Sequence, residues 1–214
     1  MSPRLDVPAL HGALVRLEPL SAAHATDLAV AAEEDRGAYG FTFVPRALEV
    51  DDYIGAHLRR AEAGQMVPFA QVRESDGRAV GCTAYWDPRP WPERSELSAI
   101  MIGWTWLAAS AQRTGINTEA KLLLFSYAFE RLGVIRVDLS TDARNERSRQ
   151  AIADLGARFE GVLRSWSPSH APGEDGLLRD SAMFSVLASE WPTVQSSLRA
   201  RLEAAHSRQP KARL

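Results

Sequence analysis

The chain has 214 residues, 45% of them hydrophobic and 24% charged, with a formal net charge of −2. That length buries a core without staples, and the single cysteine, Cys82, excludes a disulfide within the chain. The balanced charge, with no basic stripe interleaved with aromatics, argues against a nucleic-acid partner, and no run approaches the roughly 18 apolar residues of a membrane span. With no signal-like N-terminus, these features predict a cytoplasmic protein without a membrane partner.

Residues 1–9 read as a loose arm. Residues 12–18 alternate apolar and polar side chains, the period of a half-buried strand. Pro19 ends it, and Ser21 is placed to cap a helix over 22–33. The run 35–48 reads as a loop, in which Tyr39, Phe41 and Phe43 either pack locally or face a ligand. A helix over 50–63 carries Val50, Ile54, Leu58 and Ala61 on one face, with Gly64 past its end. Residues 67–73 and 78–85 predict a hairpin turning at Ser75, Asp76 and Gly77. Cys82 lies inside its second strand, where a buried inert thiol is the simple reading. Three prolines make 87–95 a connecting loop. Residues 97–107 are apolar throughout, as a central strand requires.

A glycine turn at 111–115 then opens a helix reaching residue 132. Ala120, Leu124, Tyr127, Ala128 and Leu132 share one of its faces, Thr118 or Asn117 is placed to cap it, and Glu119 lies in its first turn. A strand, a tight turn and a helix N-terminus together make an anion site. The first amides of the helix lack an intrahelical acceptor, and the helix dipole adds partial positive charge there. A plain strand–turn–helix connection has the same local pattern, so these residues alone leave both readings open. A strand follows at 134–141, then a helix that begins over Asp142–Ile152 and ends near Gly156. Strands at 158–166 and 178–187 flank a polar loop. A last helix, 190–205, carries Trp191, Val194, Leu198 and Leu202 as its stripe, and 206–214 reads as a solvated tail. The order predicts one α/β (α+β) domain over 10–205 with a mixed sheet.

Two segments carry a family resemblance. Gln112-Arg113-Thr114-Gly115-Ile116-Asn117 resembles the Q/R-x-x-G-x-G/A pyrophosphate loop of the GNAT superfamily of acyl-CoA-dependent N-acyltransferases, with Asn117 where Gly or Ala is usual. Thr118-Glu119-Ala120, and the I-G-W-T-W-L run before the loop, are similar to the RimJ/RimL-type branch. Asn145-Glu146-Arg147-Ser148, with Leu155-Gly156-Ala157 and Phe159-Glu160-Gly161, resembles that branch's N-x-x-S…L-G-F/A…E-G segment. The resemblance spans about residues 12–188. It implies a GNAT-type, mostly antiparallel central sheet flanked by helices, with a C-terminal helix. It also implies acetyl-CoA, or a larger donor such as succinyl-CoA, as co-substrate, and no metal.

The resemblance assigns roles residue by residue. The pyrophosphate would lie on the backbone from Arg113 through Thr114, Gly115 and Ile116 to Asn117, with Gln112 and Thr118 beside it. The pantetheine would run along Trp104, Trp106 and Leu107, near Asn145. Ser148 would assist departure of the thiolate; by itself it reads as an early-helix polar residue and Asn145 as a cap. Direct attack by an amine also needs a base. Relatives place a carboxylate just before the I-G pair, where this chain has Met101, or after the E-G pair, where it has Ser165, Trp166 and Ser167. Glu96 is the candidate carried forward, followed by Glu93, Asp87 and His170; charged loop residues are ordinarily solvated. His24, His57 and His206 read as helix-surface residues, and Asp180 as paired with Arg179. No metal-binding spacing and no G-x-S-x-G occurs. The expected function is acetyl transfer to a primary amine, either a protein N-terminus or a small amine. The alternative is a non-catalytic acyl-CoA-binding or assembly module. A homodimer through the last helix or the loop near Trp91 completes the expectations.

Overall fold

The computed structural model describes residues 5–91 and 97–208, without the side chains of His206 and Arg208. Its strands are β1 (Leu10–His11), β2 (Val15–Pro19), β3 (Met66–Arg73), β4 (Ala79–Pro90), β5 (Leu97–Leu107), β6 (Arg136–Asp142), β7 (Arg158–Pro168) and β8 (Leu178–Leu187). The helices are α1 (Ala25–Glu33), α2 (Val50–Glu62), α3 (Ile116–Glu130), α4 (Glu146–Ala153) and α5 (Trp191–Arg208). All eight strands join one sheet in the order β1-β2-β3-β4-β5-β6-β8-β7. Neighbours are antiparallel except β5 and β6, which α3 connects and which run parallel, since a parallel pair needs a crossover.

That parallel pair is short. It runs from Ala99↔Arg136 to Ile102↔Leu139 and then ends, although β5 continues to Leu107 and β6 to Asp142. Beyond Ile102 the two strands part. β6 stays paired with β8 to its last residue, and β5 stays paired with β4 to Leu107.

The sheet's two faces follow from alternation. Thr83, Tyr85 and Thr105 point to α3: Lys121 Nζ meets both threonines, and the Tyr85 hydroxyl donates to the Leu124 carbonyl. Trp86, Trp104 and Trp106 point the other way, toward α2: Trp106 Nε1 donates to the Tyr53 hydroxyl, and Trp104 meets the His57 ring. Met101 is directly opposite Trp86 and shares that face.

Several expectations change. Leu5 and Val7 pack on the core, so that part of the arm is not loose. β4 runs on to Pro90, because the long β5 offers it a partner; its prolines fall where the pairing is already irregular. A 3-10 turn, Ala22–His24, precedes α1, and His24 is buried: Nε2 lies 2.9 Å from Glu18 Oε2, and Nδ1 accepts from the Ser21 amide. The apolar stripe of α5 is used within the chain. Trp191 stacks on Phe129 and donates to Glu130, and Val194 and Leu198 are buried as well. Arg179 and Asp180 do not pair with each other. Neighbours on a strand face opposite ways, so Arg179 donates to Ser167 and Asp180 accepts from the Ser165 amide. No described helix is long and apolar enough to cross a membrane.

Candidate active site

Three features converge where β5 leaves β6. The first is a bulge. Ala84 pairs with Gly103 and Cys82 with Trp106, so the single residue Thr83 faces two, Trp104 and Thr105. Trp104 takes the extra place with a left-handed φ of 53°, a conformation uncommon for a bulky residue. The Arg60 guanidinium covers its ring at 4.7 Å. From the α3 face Lys121 secures the bulge. Its Nζ donates to Thr105 Oγ1 at 2.7 Å and Thr83 Oγ1 at 3.1 Å, and Thr105 Oγ1 lies 3.3 Å from the Gly103 carbonyl.

The second feature is the loop into α3. Arg113 and Gly115 have φ of 63° and 94°, and Gly115 stands at the N-cap. Neither Asn117 nor Thr118 caps the helix; both lie inside it. The first helical bond runs from the Glu119 amide to the Gly115 carbonyl (3.0 Å), so the amides of Ile116, Asn117 and Thr118 precede the intrahelical ladder. The acid of this turn is turned inward. Glu119 accepts from the amides of Ala13, Leu14 and Val15, at 2.9, 2.6 and 2.9 Å. The helix end therefore keeps its positive character toward solvent, the condition for holding a pyrophosphate.

The third is the start of α4. Asn145 accepts from the Ser148 amide at 3.0 Å, the N-cap role that its position suggests. Arg147 on α4 donates to Gln112 Oε1, and Gln112 Nε2 donates to the Leu107 carbonyl at 2.8 Å. Gln112 therefore ties the end of β5 to α4, and its side chain is committed to protein. The Leu107 carbonyl also accepts from the buried Tyr39 hydroxyl.

The sequence candidates thus divide. Trp104, Trp106, Leu107, residues 112–118, Asn145 and Ser148 lie on the elements around the parting of β5 and β6. Glu96 and Glu93 lie outside the described residues. Asp87 is exposed and 3.4 Å from Arg89 Nε, and His170 is half-buried beside the Phe43 ring (5.4 Å). Cys82 is buried, and its thiol is pushed up to about 12 by burial, which leaves no thiolate for chemistry.

The family model for the "Acetyltransferase (GNAT) domain" matches residues 15–158. The chain belongs to the GNAT acetyltransferase family. A GCN5-related N-acetyltransferase from Brucella melitensis is 29% identical, covering 92% of this chain and 86% of that one, with a TM-score of 0.79. A candidate acetyltransferase from T. thermophilus is 33% identical over 92% and 98% of the two chains, TM-score 0.75. Mycobacterium smegmatis RimJ in complex with CoA-disulfide, at 22% identity, covers 91% of each chain with a TM-score of 0.71, a likeness of fold. No curated protein matches the chain.

Besides His24, two buried residues near the bulge of this GNAT domain escape the sequence reading: Lys121 (4% exposed) and His57 (3%). For Lys121 a signal was present, since it falls at helical spacing with Leu124, Phe125 and Ala128 on the inward side of α3. Burial lowers its ammonium from 10.5 to about 7. Between those values the unfolded chain holds a proton that the folded chain releases, so stability rises with pH across that window. Lys121→Met removes this dependence. Measured by calorimetry from neutral pH to about 10, the wild-type Tm should gain on the variant by several degrees, from a few kcal/mol at about 2–4 °C each. Parallel curves would mean that Lys121 stays charged in the folded protein.

Proposed function

We propose that this GNAT domain transfers an acetyl group from acetyl-CoA to a primary amine, a protein N-terminus or a small amine, by direct attack. The observation that carries this reading is the parting of β5 from β6 beyond Ile102, beside the open amides of the α3 first turn. When bound, acetyl-CoA supplies an activated acyl carbon. The amides from Arg113 to Asn117 hold its pyrophosphate, with the α3 dipole behind them and Thr118 adjacent. The edge of β5 from Trp104 to Leu107, unpaired toward β6, receives the pantetheine as a sheet edge receives an added strand, with Asn145 beside it. The Ser148 hydroxyl donates to the sulfur as charge develops on it. Asn117 is half-buried within the first turn of α3 and adds an amide side chain where the family has Gly or Ala.

A thermal-shift titration followed by a thiol-release assay tests the reading. Acetyl-CoA at about 100 times its Kd adds roughly 2.7 kcal/mol, a rise of about 5–10 °C in Tm. Free thiol should then appear only with an added amine; trialanine, spermidine and tyramine serve as the panel. Binding without thiol release from any of them would overturn transfer in favour of an acyl-CoA-binding module. A shift with succinyl-CoA and none with acetyl-CoA would change the donor.

A further inference from the structure

Attack on a thioester needs a neutral amine, so a group near the acyl carbon has to accept a proton. Among the described residues, two carboxylates close to the parting strands, Asp138 and Asp142, are committed. Asp138, beside Met101 across the parallel pair, is bonded by both Arg89 and Arg136. Asp142 is held by Arg144, through both its carboxylate oxygens.

His57 is not committed. Its Nδ1 lies 2.8 Å from the Tyr53 carbonyl one turn back on α2. A carbonyl only accepts, so Nδ1 carries the hydrogen, and Nε2 of the neutral ring is a bare acceptor. That buried atom has no hydrogen-bond partner among the described residues. Unmatched buried acceptors are a standing cost to a fold and are rare without a role. The His57 ring meets Trp104, the extra residue of the bulge, at 5.1 Å and a right angle. A second unmatched atom also lies near Trp104. Trp86 Nε1 is a buried donor without a partner among the described residues, and its ring is 6.4 Å from that of Trp104. Gly103 makes room for it, since a Cβ there would come within 2.6 Å of Nε1. An unmatched acceptor and an unmatched donor therefore both belong to rings that meet the bulge residue Trp104, on the sheet face shared with Met101.

Resting on the transferase reading, we infer that His57 Nε2 is the base that takes the proton of the attacking amine. The amine nitrogen bonds to the acyl carbon, its proton passes to Nε2, the carbon–sulfur bond breaks, and the thiolate takes a proton from solvent. The imidazolium then returns its own proton to solvent. The groups facing His57 suit this task. Tyr53 and Arg60 share its helix, Trp104 approaches from β5, and the buried Cys82 of β4 lies beyond, by Tyr53; of these Arg60 is the charged one. Burial, with Arg60, lowers the ring below its usual 6.5, which keeps Nε2 open at neutral pH.

His57→Asn retains an amide donor for the Tyr53 carbonyl and removes Nε2. It should lower kcat by about 100-fold on whichever panel amine the wild type uses, leave the acetyl-CoA thermal shift intact, and remove the fall of kcat/KM on the acid side. Activity within about threefold of wild type, with the acid limb unchanged, would refute the role of His57 and leave the transferase reading standing. A wild type inactive on every amine would remove both. If the variant does not fold, nitrogen-15 spectra of the wild-type histidines decide: a hydrogen on Nε2 of His57 at neutral pH would overturn the assignment, and a hydrogen on Nδ1 alone is expected.

Discussion

Replacing Glu119 with alanine should lower the unfolding midpoint by roughly 10 °C. Its carboxylate closes three backbone amides of the turn between β1 and β2, more than a hundred residues away in sequence. A buried amide left without a partner costs about 1–3 kcal/mol, and these three are only partly shielded, so about 3–5 kcal/mol in all is expected. The contact is close enough to dictate its neighbour: a Cβ on Gly12 would lie 2.4 Å from Glu119 Oε2, so any larger residue there displaces the carboxylate. Glu119→Gln should fall between the two, because its amide keeps one acceptor oxygen and turns a donor on the remaining amides. Calorimetry of both variants checks this. A loss under about 2 °C for Glu119→Ala would mean that water replaces the carboxylate fully.

Gly115→Asp should abolish the acetyl-CoA thermal shift, a loss of affinity of about 100-fold or more that removes the roughly 2.7 kcal/mol of ligand stabilisation. Two effects add. A φ of 94° suits glycine, and a side chain there costs about 1–3 kcal/mol; its Cβ would also stand 3.0 Å from Leu14 Cδ1. The aspartate then puts a negative charge at the helix end offered to the pyrophosphate. Gly115→Ala separates the contributions, since it brings the strain without the charge and should keep part of the shift. A full shift in folded Gly115→Asp would show that acetyl-CoA binds somewhere else on the molecule.

Much of this architecture was legible in the chain itself. Alternation at 12–18 marks β2, although the strand begins at Val15. The apolar run at 97–107 is β5, and the stripe of Val50, Ile54 and Leu58 marks α2. The two motif segments could be ordered along the chain and joined to a family. These features are local: a period of two or of 3.6, a glycine where a turn needs it, a cap beside the helix it caps.

The site's decisive features are not local. The bulge at Trp104 exists only relative to Thr83 on another strand, so no reading of 97–107 alone reveals it. The gap between β5 and β6 depends on where their register stops, which each strand's other partner helps to set. Helical spacing says which residues share a side of α2 or α3, but not how wide the buried side is. His57 and Lys121 therefore look like surface groups until Trp104, Thr83 and Thr105 close over them. Even Glu119, a first-turn acid in its local setting, takes its role from a turn more than a hundred residues earlier. Sequence periodicity thus determined the elements and their order. Register and the burial of polar atoms belong to pairs of segments, and only the tertiary structure decided them.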